Sequence, residues 1–72
     1  MNDVLVSAEK KNNIIYLFCK NTIINFDIKE NDTFESILDD MKNENIIIEN
    51  IGLLKIIVNI FLKPNNRILK LT

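Results

Sequence analysis

Ile14-IIYLFCKNTIINFDIKENDTFESILDDMKNEN-Asn45 is the stretch that decides the fold of this chain. Ile14 to Cys19 is apolar on both faces, with Ile14, Tyr16 and Phe18 on one and Ile15, Leu17 and Cys19 on the other. A continuous run of β-branched and aromatic residues marks a strand buried on at least one side. Lys20-Asn21 reads as a two-residue turn, because asparagine tolerates a positive φ. Thr22 to Ile28 then alternates: Ile24, Phe26 and Ile28 against Asn25 and Asp27, the latter joined by Ile23. The two runs therefore predict a β-hairpin. After a polar break at Lys29 to Asn31, Asp32 or Thr33 is placed to cap a helix, with Ser36 and Glu35 in its first turn. Phe34, Ile37, Leu38 and Met41 recur at spacings of three and four, giving one apolar face. The helix is expected to end at Asn43 to Asn45, where asparagine can adopt the left-handed C-cap conformation.

Outward from this stretch the signals weaken. Met1 to Asn13 reads as a short N-terminal segment, loose or an edge strand, whose Val4-Leu5-Val6 run adds to a sheet or docks on a partner. Residues 14–72 form the domain. Ile46 to Ile51 is expected as a strand ended by Gly52, the only glycine. Leu53, Leu54, Ile57, Ile60 and Phe61 fit a helical period, whereas Ile56, Ile57 and Val58 favour a strand. That segment is expected as a strand or a short helical turn under the sheet. Lys63-Pro64-Asn65-Asn66 reads as a turn and Arg67 to Leu71 as a final strand.

Composition limits the chemistry. Seventy-two residues with 47% apolar content make at most one domain, which buries only about 60% of its unfolded surface. Cys19 is the sole cysteine and there is no histidine, so a disulfide within the chain is excluded and a four-ligand zinc site is not expected. A cysteine nucleophile would lack its usual base, and Cys19 reads instead as a small buried hydrophobe. Asp39-Asp40 are adjacent on a helix, about 100° apart, which suits a solvated face better than a paired acid and base. One glycine cannot build a phosphate loop. No catalytic residue and no cofactor is expected, nor a small-molecule substrate.

Net charge is −1, and Lys10-Lys11 is the only adjacent basic pair, so autonomous nucleic-acid binding is not expected. Ile46 to Leu62 is very apolar but is interrupted by Glu49, Asn50, Lys55 and Asn59, and it falls short of the roughly 20 clean residues of a membrane span. With no secretory signal visible and a single thiol, an intracellular setting, cytoplasmic or nuclear, is expected. The weight of isoleucine, asparagine and lysine fits an AT-rich coding sequence.

The order strand, strand, helix, strand, turn, strand resembles a β-grasp domain, and Thr22 to Ile46 is similar to ubiquitin-like proteins. Ile24, Phe26 and Ile28 match the family's alternating second strand, and Asp32-Thr33-Phe34-Glu35 its helix opening. The resemblance implies an α+β fold: a ubiquitin-like β-grasp with a mixed four- to five-stranded sheet and one main helix packed across it. The family register puts Ile14 and Tyr16 inside. Ile15, Leu17, Cys19 and Ile23 then lie on the opposite sheet face, joined by Ile68 because the family's last strand sits beside its first. Leu69-Lys70-Leu71-Thr72 departs from the Gly-Gly ending of conjugated members, which implies the non-conjugated branch.

An apolar face of that size marks an interface, unless Val4-Leu5-Val6 or Leu53 to Phe61 folds back over it. The expected contact residues are Ile15, Leu17, Ile23, Ile68 and Lys70. They define a non-catalytic protein-binding module, an adaptor or small subunit of an assembly. A rival is a small structural subunit of a ribonucleoprotein, with Lys10, Lys11, Lys63, Arg67 and Lys70 at phosphates. A third reading is a modifier or sulfur carrier cut from a longer precursor.

Overall fold

The computed structural model describes residues 2–63. Its elements are β1 (Asn2–Asp3), β2 (Leu5–Lys11), β3 (Ile14–Cys19), β4 (Ile23–Asp27), α1 (Phe34–Asn43), β5 (Ile47–Ile48) and α2 (Ile51–Leu62). β2, β3 and β4 form an antiparallel three-stranded sheet in that order, and β1 pairs with β5 in a parallel two-stranded one. The architecture is α+β with two helices and two small sheets, where the sequence suggested one mixed sheet and one main helix. The expected turn at Pro64 and the strand at Arg67 to Leu71 lie outside the described residues.

The predicted hairpin forms with its predicted turn. The Cys19 N–H donates to the Thr22 carbonyl at 2.9 Å across Lys20-Asn21. A two-residue turn there makes every odd-numbered residue of β3 face an even-numbered one of β4: Ile15 opposite Phe26, Leu17 opposite Ile24. Residues directly opposite share a sheet face. The inner face therefore carries Ile15, Leu17, Ile24 and Phe26, and the outer face carries Ile14, Tyr16, Phe18 and Ile23. This corrects the family register, which set Ile14 and Tyr16 beside Ile24 and Phe26. A shift of one residue moves a whole strand to the other face. The turn residues already contained the correct register.

The N-terminal segment is a full partner in the sheet. β2 pairs with β3 from Lys11 opposite Ile14 to Leu5 opposite Cys19, with a bulge between Leu5 and Ser7. Asn12 takes φ 55° in the connecting turn, the conformation that a tight hairpin needs and asparagine supplies. Its polar residues conceal this strand in the sequence. Ser7, Glu9 and Lys11 face outward with Ile14, Tyr16 and Phe18, so the strand contributes few apolar residues to the core.

α1 follows from its caps. Thr33 Oγ1 accepts from the Ser36 N–H at 3.1 Å, while Ser36 Oγ accepts from the Thr33 N–H at 2.9 Å. This reciprocal box satisfies two of the helix's orphan donors. Asn45 stands at φ 62°, and the Ile46 N–H reaches back to the Met41 carbonyl at 2.9 Å, the paired closure of a Schellman end. Phe34, Ile37 and Met41 are buried.

α2 is the larger surprise. Leu54 and Val58 are fully buried, with Ile57, Phe61 and Leu62 packed beside them. That spacing is helical, and it overrides the β preference of Ile56-Ile57-Val58 because propensity is a weak prior against burial. Lys10 Nζ donates to the Phe61 carbonyl at 3.2 Å, giving the end of α2 the positive charge its own last turn lacks.

Both helices lie on the inner face, and one core unites Leu5, Ile15 and Leu17 with residues of α1, β5 and α2. Ile15→Ala should lower stability by about 2–5 kcal/mol in denaturant unfolding, as for other buried aliphatic truncations. Ile23→Ser, on the outer face, should stay within about 0.5 kcal/mol. Equal effects would mean that the two faces are assigned the wrong way round.

Candidate functional site

Of the residues expected to form an interface, Ile15 and Leu17 are 0% exposed. They are corrected from contact residues to core, because Leu5 of β2 and Leu54 and Val58 of α2 cover their face. Of the two alternatives, an interface or a face covered from within, the covered one holds for this pair. Ile23 is 63% exposed, and it lies on the other face. Ile68 and Lys70 lie outside the described residues. Among the described residues, the expected set is thus divided between the two faces of the sheet.

Apolar surface is exposed elsewhere. On α2, Leu53, Ile56 and Ile60 are 40%, 60% and 56% exposed. At about 100° per residue they fall within about 60° of one another, away from Leu54 and Val58. Ile51 at the helix start and Ile47 on β5 are also exposed. The signal was present in the sequence: IGLLKIIVNIFL is apolar round most of the helix, with only Gly52, Lys55 and Asn59 on one narrow strip, so more apolar surface is present than one buried face needs. The β-branched run Ile56-Ile57-Val58, which left strand and helical turn both open, masks that signal.

The outer sheet face forms a second surface. Ile14, Tyr16 and Phe18 run along central β3 half-buried, with Ile23 beside Phe18. Among the described residues no helix covers them. Lys10 and Lys11 diverge, Lys10 towards α2 and Lys11 to the outer face, so the only adjacent basic pair in the chain does not form a patch.

Two polar side chains hold these surfaces in place, and neither has a local signal in the sequence. Asp3 is buried, at 2% exposure. Its Oδ1 accepts from the Val4 N–H at 2.8 Å, the Asn21 N–H at 3.1 Å and Asn21 Nδ2 at 3.2 Å. Its Oδ2 accepts from Thr22 Oγ1 at 3.2 Å. Burial pushes the carboxyl up, but the hydrogen bonds from Val4, Asn21 and Thr22 outweigh it and hold the group below the ordinary aspartate value. With its acceptors spent on the β3–β4 turn, Asp3 is a clasp rather than a proton carrier.

Asn50 is the other fastening. Its Oδ1 accepts from the Leu5 N–H and its Nδ2 donates to the Leu5 carbonyl, both at 2.9 Å. The side-chain amide thus extends the parallel β1–β5 ladder by one rung at the point where α2 begins. Asn50 sits at the N-cap of α2 but makes no side-chain cap bond, because both ends of its amide are engaged with Leu5.

Chemistry is sparse. Burial first, and the Asp3 carboxylate second, raise the Cys19 thiol above its usual range, which keeps it protonated and a weak nucleophile. Among the described residues no three of Asp, Glu and Cys are grouped to hold a metal ion. No helix among them is long and apolar enough to cross a membrane. No family model, curated protein or solved structure matches the chain.

Asn50→Ala should cost about 1–3 kcal/mol in chemical denaturation, because it leaves the N–H and C=O of buried Leu5 unpaired. Asn50→Asp should also destabilise, since a carboxylate keeps the bond to the N–H and repels the carbonyl. Asp3 supplies a pH dependence. Its folded-state value lies below the unfolded one, so its stabilisation is complete above about pH 4 and is lost as the pH falls through the folded value. The melting temperature of Asp3→Asn should therefore lie below that of the native chain near neutrality, and the gap should close in acid. A gap that persists at low pH would refute the clasp.

Proposed function

We propose that this chain is a non-catalytic protein-binding module, an adaptor or small subunit of an assembly, that docks through the outer face of α2. The observation that carries this reading is the row Leu53, Ile56 and Ile60, exposed on a helix whose opposite face is fully buried. A lone protein seldom leaves such a stripe in water. Lys55 lies about 100° or more round the helix from each residue of the row, Glu49 precedes the helix and Lys63 follows it, so the row itself is apolar. The complementary partner presents an apolar surface.

The finer fold assignment belongs to this proposal. A ubiquitin-like β-grasp arrangement is supported by a hairpin leading into α1, although β5 lies parallel to β1 rather than to the first strand of that hairpin. α2, and the extra strand that precedes the hairpin, depart from the expected order.

The test is native purification of the full chain in mild salt, with light scattering and identification of what co-elutes. The double variant Ile56→Asp with Ile60→Asp should keep the melting temperature, because both positions are exposed, and should release the partner. A monomer with nothing bound, or a partner retained by the double variant, overturns the reading. An RNA whose release follows salt rather than these substitutions would favour the ribonucleoprotein rival.

A further inference from the structure

The residues that flank the α2 row continue its spacing. Glu49, Leu53, Ile56, Ile60 and Lys63 follow one another at intervals of four, three, four and three. That alternation is the seam along which two helices pack. Leu53, Ile56 and Ile60 form its apolar centre. Each end carries one charge, of opposite sign: Glu49 stands just before the N-cap Asn50, and Lys63 is the C-cap. Both are exposed.

Gly52 is an independent mark on the same side of the helix. It lies in the first turn, about 40° round from Ile56. Its φ is not positive, and a Cβ added there would meet nothing within 4 Å. Nothing among the described residues therefore calls for glycine, the least helix-favouring residue after proline. Its bare backbone leaves a shallow hollow beside the row, where another chain can approach closely.

Symmetry decides what fits this seam. A second α2 laid antiparallel to the first, about a two-fold axis at Ile56, sets Ile56 against Ile56 of the second copy. Leu53 and Gly52 then lie beside Ile60 of the second copy, a large side chain over the hollow. Glu49 falls opposite Lys63 of the second copy, and every contact occurs twice. A parallel pair would instead set Glu49 against Glu49 and Lys63 against Lys63. Lys55 stays outside the seam in either case.

We propose, resting on the reading of α2 as a docking surface, that its occupant is a second copy of this chain, held in a two-fold antiparallel pair of α2 helices with Glu49 and Lys63 closing each end. The two apolar rows cover one another and supply the affinity. The end charges set the direction of pairing.

Sedimentation equilibrium of the full chain over a concentration series reads the association, in low salt so that exposed charges are little screened. A monomer–dimer equilibrium is expected. Ile56→Asp should abolish it, since symmetry brings the two carboxylates together. Glu49→Lys and Lys63→Glu should each weaken it by about fivefold or more, because each makes two attractive contacts repulsive. The charge-swapped double variant, Glu49→Lys with Lys63→Glu, should recover the native affinity. Both residues also suit the dipole of their own helix, so a purely local role would leave the swapped variant with the lowest melting temperature at dilution and no better association than either single variant. A chain monomeric at every concentration, a dimer that survives Ile56→Asp, or a swapped variant as weak as the single ones overturns the pairing. A monomer that holds a different protein through Leu53, Ile56 and Ile60 would overturn it and leave the docking reading intact, whereas a monomer with nothing bound would remove both.

Discussion

The register between β3 and β4 is the constraint on which the rest of the structure depends. Two residues, Lys20 and Asn21, turn the chain, and the Cys19 to Thr22 hydrogen bond closes that turn. From there the pairing runs without slip from Phe18 opposite Ile23 to Ile14 opposite Asp27. Ile15 and Leu17 thereby join Ile24 and Phe26 on one face, and both helices must cover that face to keep four large apolar side chains from water. The opposite face is left with Ile14, Tyr16, Phe18 and Ile23 among the polar Ser7, Glu9, Lys11, Asn25 and Asp27. With a turn one residue longer or shorter the helices would have the wrong surface to pack on.

Asp3 and Asn50 make this arrangement hold at its corners. Asp3 ties the first strand to the β3–β4 turn, 18 residues away in the chain, and so fastens the element that sets the register. Asn50 ties the start of α2 to Leu5, 45 residues away. Asp3 accepts from the backbone of Val4 and from Asn21 and Thr22 of the turn, and Asn50 pairs with both backbone groups of buried Leu5. The outcome is a helix held by one face, with an apolar row left pointing outward. The surface used in the functional argument is thus a by-product of how the core closes.

The parts of the fold legible in the sequence were those fixed by neighbours in the chain. β3 has the bounds that its apolar run marks, and α1 starts and stops where Thr33, Ser36 and Asn45 place the caps. Each depends on contacts within about five residues. β2 was obscured because Ser7, Glu9 and Lys11 face solvent and leave a polar record. α2 was obscured because Ile56, Ile57 and Val58 carry a strand preference that only packing against the sheet overrules. The contact residues inferred from family register were displaced by one position, which exchanged the buried and exposed faces.

By itself the sequence determined the class of this protein, α+β, and the places where its central hairpin and first helix begin and end. It also determined what chemistry is scarce, since one cysteine, one glycine and no histidine supply few reactive groups. Tertiary structure decided which side of the hairpin is inside, whether the last apolar run is a helix, and which apolar residues are left over for a partner. The physical reason is distance along the chain. Caps and turns are settled by bonds between near neighbours, whereas a face is buried only when something remote arrives to cover it. Leu5, Leu54 and Val58 do that for Ile15 and Leu17, and only their arrival separates the core of this molecule from its surface.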